Sequence, residues 1–171
     1  MPSNFKAAGV LFTDRIHVLA GFQPGKGAVS GFGGSREGCE TIRQTAFREV
    51  LEELLEPISD LRPFIAALCD RYKDHPITRK EAYRFLTLTL EDLLCILKEA
   101  KEIDLKSNIY KSIPTTIAAL IQKRKPLASS EVTTIMLLPV QEAGVDLEPH
   151  FAEDIASLMY STHPLLDQSA H

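Results

Sequence analysis

GGSREGCETIRQTAFREVLEELLE, residues 33–56, joins a pair of glycines to a strongly acidic segment with a helical period. A helix is predicted over 41–55, because Thr41 and Gln44 have the spacing of a capping box and Pro57 ends the pattern. The apolar residues that recur every four positions, and so form the predicted buried stripe, are Ala46, Val50 and Leu54. The segment therefore predicts a helix with one buried face and one acidic face.

The acidic face carries Glu49, Glu52 and Glu53 within an arc of about 100°. Like charges at i, i+3 and i+4 repel one another. Arg48 lies about 100° round the helix from Glu49, too far round to neutralise all three carboxylates. Two interpretations are open at this point. Most runs of charge form a solvated helix face, whereas a hard cation such as Mg²⁺ takes carboxylate oxygens as ligands.

The rest of the chain predicts a single domain of mixed α and β structure that spans residues 1–171. Two apolar runs on either side of 13–15 predict a β-hairpin, followed by a glycine-rich loop around a very short strand. Further strands are predicted at 61–72, 81–90 and 131–140, and helices at 91–103, 112–125 and 149–161. Pro114 is placed in the first turn of the helix at 112–125, where a proline is tolerated.

The composition is that of an ordinary globular protein, with 171 residues, 44% of them hydrophobic and 25% charged. A net charge of −4 disfavours a nucleic acid as the main partner, because phosphate contacts need clustered Lys and Arg. The three cysteines, Cys39, Cys69 and Cys95, lack metal-ligand spacing and are predicted to be reduced thiols. Without a signal-peptide pattern or a membrane-length apolar run, we expect a soluble, cytoplasmic protein.

The segment that begins at Gly34 resembles the Nudix box, the signature of the Nudix (MutT-like) hydrolases. That box is a glycine, five residues, Glu, seven residues, Arg-Glu, an aliphatic residue, any residue, Glu-Glu, any residue, Gly and an aliphatic residue. The matching residues, all in register, are Gly34, Glu40, Arg48, Glu49, Val50, Glu52 and Glu53. Leu55 and Glu56 depart from the final glycine and aliphatic residue, so catalytic competence needs a test. The segment at about 91–127 looks like a helical insertion before the last core strand.

The resemblance implies an α/β/α sandwich with a mixed sheet, and hydrolysis of a nucleoside diphosphate linked to another group with Mg²⁺ or Mn²⁺. It implies that the metals are held by Glu49, Glu52 and Glu53, with the backbone carbonyl of Gly33 or Gly34 as a further oxygen. Arg48 would orient a box glutamate, and Glu40 would support the junction between the loop and the helix.

The general base would be a box glutamate or a glutamate from a late loop, a place that Glu131 occupies; alternatively, Glu131 simply opens a strand. Lys26 could reach a phosphate or be an ordinary loop lysine. Tyr72 could stack on a base or be packed at a strand edge. The basic cluster at 123–125 is interpreted as a solvated helix end.

A nucleotide-type diphosphate is the expected partner, with dinucleoside polyphosphates or nucleoside triphosphates favoured. RNA is possible but not favoured, which places mRNA cap hydrolysis third. A non-catalytic nucleotide-binding or sensor module is the alternative from another class, because the turn at Leu55 and Glu56 departs from the box. The oligomeric state is left open.

Overall fold

The computed structural model of the chain describes residues 4–141 and 146–160. The strands are β1 (Ala7–Thr13), β2 (His17–Gln23), β3 (Ala28–Ser30), β4 (Phe32–Ser35), β5 (Ile77–Lys80), β6 (Tyr83–Thr89) and β7 (Thr134–Pro139). The helices are α1 (Ile42–Leu55), α2 (Arg62–Arg71), α3 (Leu90–Glu102), α4 (Ile117–Gln122) and α5 (Pro149–Tyr160). The predicted hairpin is β1 and β2, and the glycine-rich segment after it contains the short strand β3.

The seven strands form one mixed sheet. The continuous order is β3-β2-β1-β6-β5, while β4 pairs with β1 and β7 pairs with β2. β1 runs parallel to β6, and the other pairings between these seven strands are antiparallel. Only the parallel pair needs a long crossover, and that crossover contains α1 and α2. The predicted α+β class with a mixed sheet is confirmed.

Helices cover both faces of the sheet. Successive side chains of a strand point to opposite faces, so each face has its own core cluster. On one face, Phe12 and Leu19 pack in a core cluster with Phe47 and Val50 of α1. On the other face, Leu11 belongs to a second cluster, which also contains residues of α5. The architecture is therefore the expected α/β/α sandwich, with the glutamate helix in one layer and the C-terminal helix in the other.

The structure of α1 agrees with its sequence pattern at both ends. Thr41 is the N-cap: its hydroxyl accepts from the Gln44 backbone at 3.3 Å, and its own N–H donates to the Gln44 side chain at 2.8 Å. The helix ends at Glu56, whose φ of 43° is left-handed. The predicted buried stripe of Ala46, Val50 and Leu54 is at most 1% exposed. The predicted helix is confirmed.

The segment at 61–72 is helical, so the predicted strand there is wrong. Pro63 stands in the first turn of α2, where the missing N–H costs nothing. Phe64, Ile65 and Leu68 are its buried residues, while Ala66 and Ala67 are exposed. That spacing is helical, but a dense apolar run of this length does not distinguish a helix from a buried strand.

The other differences concern element boundaries. Helix α4 begins only after its N-cap Thr116, whose hydroxyl accepts from the Ala119 backbone at 3.1 Å. Pro114 thus precedes the helix and is not in its first turn. β7 starts at Thr134, which leaves Glu131 in the loop before the strand. The predicted strand at 81–90 and helix at 91–103 match β6 and α3, and the helix predicted at 149–161 matches α5 up to its last described residue.

Three further observations bear on the sequence predictions. Within 4–141 and 146–160, no helix is long and apolar enough to cross a membrane. Cys39, Cys69 and Cys95 are all free thiols. The helices α3 and α4 lie between β6 and β7, where the insertion was expected.

Candidate active site

The acidic face of α1 meets the loop before β7 at a cavity of about 200 Å³. The residues that line this cavity are Glu49, Glu52, Glu53, Glu56, Ser129 and Glu131. Glu131 is remote from the box in sequence, yet the fold brings it to the same cavity as three of the four glutamates of the box. The cavity is therefore walled by carboxylates from two elements.

Arg48 is the cation that organises one side of this cluster. Its Nη1 donates to Glu49 at 2.8 Å and to Glu52 at 3.0 Å, and its Nη2 donates to the Ser35 carbonyl at 2.7 Å. Its Nε and Nη2 also hold both oxygens of Glu40, at 2.7 and 3.0 Å. The hydrogen bond to Glu40 is the main reason why the pKa of Arg48 is raised above its ordinary value. Because the guanidinium is a planar, rigid fork, it fixes three carboxylates relative to one another.

Glu40 acts at the junction between the loop and α1. Besides Arg48, it accepts from the Thr45 hydroxyl at 2.8 Å and from the Glu37 backbone at 3.1 Å. Partial burial by itself would raise the pKa of Glu40, but the bonds from Arg48, Glu37 and Thr45 hold that pKa below its ordinary value. The residue is placed to position Arg48 and is absent from the lining of the acidic cavity.

Glu53 is the buried member of the cluster, at 4% exposure. One carboxylate oxygen accepts from the Gly33 backbone N–H at 2.9 Å, and the other accepts from the Gln23 amide at 3.1 Å. Burial raises the pKa of Glu53 well above its ordinary value; the Gly33 bond lowers it, and the charge of Glu131 raises it further. Sequence reasoning missed Gln23, whose only signal was its polar character at the end of an apolar strand.

Glu49 faces the glycines of β4. A Cβ at Gly34 would overlap the Glu49 carboxylate, so a larger residue there would displace that carboxylate. Burial raises the pKa of Glu49; Arg48 opposes the shift, while Glu52 and Glu131 add to it. The like charges around the cavity thus remain only partly compensated.

These oxygen donors suit a hard divalent cation, although no site is already arranged around one. Within the described residues, no group of three or more His, Cys, Asp or Glu side chains is positioned to hold a metal ion. Glu49 and Glu52 share Arg48 instead, and Glu53 is bonded to Gly33 and Gln23. Mg²⁺ commonly uses one or two carboxylates together with waters and substrate phosphates. The donor set therefore fits such an ion, and the ligand assignments, including the Gly33 carbonyl, stay predictions.

A second cavity, of about 360 Å³, lies against the same glycines. Its lining includes Gly33, Gly34, Lys6, Lys26, Lys80 and Tyr83. Gly33 donates to Glu53 and Gly34 packs against Glu49, and both of these glutamates line the acidic cavity. Lys80 is paired with Glu153 at 2.6 Å and with Asp154 at 3.1 Å. Lys26 is exposed, and its charge lowers the pKa of Glu53. Lys26 thus lines the second cavity and also acts through its charge on Glu53 of the acidic cavity.

Tyr72 lies elsewhere, in the helical layer. It is 3% exposed, its ring packs on Phe47 at 5.6 Å between centroids, and its hydroxyl donates to Asp92 at 3.1 Å. Burial is the main cause that raises the pKa of Tyr72 to about 12. The ring has no exposed face on which a base could stack, so the predicted stacking role is wrong for this conformation.

Arg124 corrects the interpretation of 123–125 as a solvated helix end. Lys123 and Lys125 are exposed, but Arg124 is 9% exposed and bonded to backbone carbonyls of α1. Its partners lie 70 and 71 residues away along the chain. No local pattern could have identified it.

No protein-family model and no curated protein matches the chain. Among solved structures, it is similar to a hydrolase of the NUDIX family from Clostridium perfringens, at 10% identity and a TM-score of 0.44, over 92% of this chain and 97% of the other. This is the family whose box the sequence resembles. The chain is also similar to a bifunctional NMN adenylyltransferase/ADP-ribose pyrophosphatase from Francisella tularensis, solved in a complex with AMP and a manganese ion.

With the Francisella protein the identity is 14% and the TM-score 0.48, over 92% of this chain. The chain spans only 41% of that longer protein. A second structure of the same enzyme gives 14% identity and a TM-score of 0.47, over 94% of this chain and 42% of the other. Because all three TM-scores are below 0.5, residue roles have to be inferred from the side chains of this chain.

Proposed function

We propose that the chain is a hydrolase of the Nudix type, which uses Mg²⁺ or Mn²⁺ to cleave a diphosphate bond in a nucleotide-type substrate. The observation that carries this proposal is the meeting of the box glutamates with Glu131 around one cavity. Glutamates of a merely solvated face would point to bulk water. Here Glu53 is buried, and the Glu49 carboxylate packs closely against Gly34.

Each residue of the chain has a distinct part in this proposal. Glu49, Glu52 and Glu53 would hold the metal. Arg48 keeps Glu49 and Glu52 at a fixed separation, and Glu40 keeps Arg48 in place. A divalent ion, when bound, clamps the diphosphate, offsets charge on the leaving oxygen and lowers the pKa of an attacking water.

We place the general base at Glu131. A base must lie within hydrogen-bond reach of the water whose proton it accepts. Glu131 is exposed and lines the cavity opposite α1. Glu53, by contrast, has both carboxylate oxygens engaged by Gly33 and Gln23, which suits a fixed ligand better than a mobile proton acceptor.

The cavity on the other side of the Gly33–Gly34 segment is the proposed place for the rest of the substrate. Lys6 and Lys26 are the lysines of this lining left to meet a phosphate, since Lys80 is already paired with Glu153 and Asp154. We assign the contact to Lys26, whose charge also acts on Glu53. Dinucleoside polyphosphates and nucleoside triphosphates are the favoured substrates. A long RNA would need more cationic surface than these lysines supply, so cap hydrolysis stays third.

One observation favours a second function, a nucleotide-binding module without catalysis. The end of α1 differs from the box: Leu55 is fully buried in the helix, and Glu56 takes the left-handed conformation. If this turn shifts Glu52 or Glu53 away from a productive arrangement, the carboxylates and Lys26 would bind a metal–nucleotide complex and leave it intact.

A hydrolysis screen separates these two functions. The substrates are nucleoside triphosphates, dinucleoside polyphosphates, ADP-ribose, nucleotide sugars and capped RNA, each with Mg²⁺ and with Mn²⁺. Glu53→Gln is the inactivating variant, and Glu91→Gln, at an exposed position of α3, is the matched control. Turnover that Glu53→Gln abolishes and Glu91→Gln retains supports the hydrolase. Metal-dependent nucleotide binding without turnover supports the binding module.

A further inference from the structure

The C-terminal carbonyls of α1 are satisfied by a remote part of the chain. An α-helix leaves its last four carbonyls without partners inside the helix. Here the carbonyls of Glu53 and Leu54 accept from Arg124, at 2.7 and 2.6 Å. The Leu55 carbonyl accepts from the Ser107 hydroxyl, and the Glu56 carbonyl accepts from the Asn108 backbone at 3.0 Å. The segment at 107–124 therefore caps the end of the glutamate helix.

Arg124 also reaches a third element. Its Nη2 donates to the carbonyl of Val132 at 2.8 Å, and its Nε approaches the same oxygen at 3.3 Å. Val132 directly follows Glu131 in the loop before β7. One buried guanidinium thus bridges the backbone of Glu53 and the backbone next to Glu131, the two glutamates on opposite sides of the acidic cavity.

We propose that Arg124 is a positioning residue that sets the separation between Glu53 and Glu131. This inference rests on the proposed function, in which one glutamate holds the metal and the other accepts the proton. The five N–H donors of an arginine are fixed in one plane, so the two backbones cannot move apart without breaking bonds to it. Rates are sensitive to misplacements of about 1 Å in a reacting group.

A simple helix cap would not require this third contact. Bonds to Glu53 and Leu54 would be sufficient to cap α1, whereas the bond to Val132 joins α1 to a separate loop. The loop is fixed on its other side as well, because the Thr133 N–H donates to the Phe22 carbonyl at 3.0 Å. The backbone that directly follows Glu131 is therefore held from both the sheet and the helix.

The bonds from Arg124 and its neighbours to the end of α1, called the brace from here on, also account for the departure from the box at Leu55. A glycine near a helix end commonly allows the turn that satisfies the last carbonyls. In this chain Ser107, Asn108 and Arg124 satisfy those carbonyls from outside the helix. Leu55 is then free to remain helical and to join the core.

The test compares Arg124→Lys and Arg124→Met with Arg43→Lys and Arg43→Met. Arg43 is a matched control, since it lies on α1 and donates to backbone carbonyls of Tyr72 at 2.9 Å and His75 at 2.6 Å. It braces α1 on the side of α2, away from Glu131. Tyr110→Phe is a milder variant, because it leaves the bonds of Arg124 to α1 and Val132 in place and removes a single hydroxyl, which lies 3.4 Å from Nη1 of Arg124 and donates to the Leu120 carbonyl.

Three measurements are made on each full-length variant: amide hydrogen exchange in 129–133, Mn²⁺ binding, and kcat with KM on the best substrate of the screen. Arg124→Lys should accelerate exchange in 129–133, and should lower Mn²⁺ affinity and kcat by about tenfold or more. KM should change less. The Arg43 variants should leave all of these within about twofold, even where Tm falls equally. Tyr110→Phe should give a smaller change in the same direction as Arg124→Lys.

Equal effects of the Arg124 and Arg43 variants would overturn the proposal, because they would report lost stability alone. Unchanged exchange in 129–133 in Arg124→Lys would overturn it as well. If Arg124→Met and Arg124→Lys do not fold, Tyr110→Phe takes their place. Unchanged exchange in 129–133 in that variant would then overturn the proposal. If the wild-type chain neither binds Mn²⁺ nor hydrolyses any substrate, the proposed function fails. The exchange measurement still judges the brace on its own.

Discussion

Arg48 changes how the acidic cluster of α1 should be understood. Four carboxylates lie close to it, and it bonds to three of them, Glu40, Glu49 and Glu52. The repulsion expected from the spacing of the glutamates is therefore largely relieved along one edge of α1. Glu53 is not bonded to Arg48, and the charge of Glu131 across the cavity raises the pKa of Glu53 further, while the Gly33 bond and the charge of Lys26 lower it. At the scale of single residues, the pair of Glu53 and Glu131 is where a cation would be most favourable.

The first prediction concerns Glu53 itself. In metal-free buffer at neutral pH, Glu53→Gln should keep or raise the free energy of unfolding, by up to about 1 kcal/mol, because it removes a charge that is costly to bury. Hydrolysis should fall by at least about a hundredfold, since the lost charge stabilisation amounts to several kcal/mol. Chemical denaturation and a rate assay on the same preparation check both. A variant that loses stability and activity together would mean that Glu53 is only structural.

The pH dependence of stability should have opposite signs at Glu40 and Glu53. The folded pKa of Glu40 is depressed, so its contribution is present above the unfolded value and is lost as pH falls through the folded pKa. The folded pKa of Glu53 is raised, so its ionisation destabilises the fold as pH rises from the ordinary value of 4.5 through the folded pKa.

The measurement is the free energy of unfolding of both Gln variants against pH, in chelator. Glu40→Gln should be less stable than the wild type at neutral pH, and the difference should shrink as pH falls below the ordinary carboxyl range. Glu53→Gln should gain on the wild type as pH rises above 4.5. If the stability of both variants relative to the wild type changed in the same direction with pH, the environments assigned to Glu40 and Glu53 would be wrong.

At the scale of elements, sequence reasoning succeeded where the signals were local. The capping box, the four-residue stripe and the stop at Pro57 define α1 within a short window. The segment at 61–72 carried an apolar run that fits either period, and only its packing against α1 selects the helix. The roles of Arg124 and Gln23 could not be predicted, because their partners are 70 and 30 residues away along the chain. The place of Glu131 came from the family resemblance, since spacing alone does not bring a loop to a helix.

The end of α1 gives a prediction at this scale. Leu55→Gly, which restores the glycine of the box, should cost about 2–5 kcal/mol, because it removes a fully buried side chain from the core. Glu56→Gly should instead stabilise the fold by about 0.5–1 kcal/mol, since glycine adopts the left-handed φ of 43° without steric cost. Urea denaturation of the two variants checks the contrast. If Leu55→Gly left the free energy of unfolding unchanged, the turn would be able to reorganise to the pattern of the box.

At the scale of the whole molecule, the segment between β6 and β7 is part of the core and not an appendage. Leu105, Ile109, Tyr110 and Ile113 are buried in the same cluster as Leu54 and Leu55 of α1. Within the described residues, the lining of the lysine-containing cavity includes none of 91–127. The interpretation of this segment as an insertion remains a prediction. As a lid over that cavity it has no support in the described residues, because Arg124 and Ser107 of the segment bind the carbonyls at the end of α1 instead.

Deletion of residues 105–125 should therefore abolish cooperative folding instead of giving a smaller active enzyme. The deletion removes the partners of the Glu53, Leu54 and Leu55 carbonyls, and each buried carbonyl left unpaired costs about 1–3 kcal/mol. The loss of several buried apolar side chains adds to this cost, and the total exceeds the stability of a typical domain.

A Gly-Ser insertion between the exposed residues Pro126 and Leu127 is the control. It should leave Tm within a few degrees, because a slightly longer surface loop costs little. Thermal unfolding by circular dichroism and amide dispersion in NMR spectra distinguish the two variants. If the deletion variant folds and keeps the substrate preference of the wild type, α1 does not need its external cap, and the brace through Arg124 is dispensable.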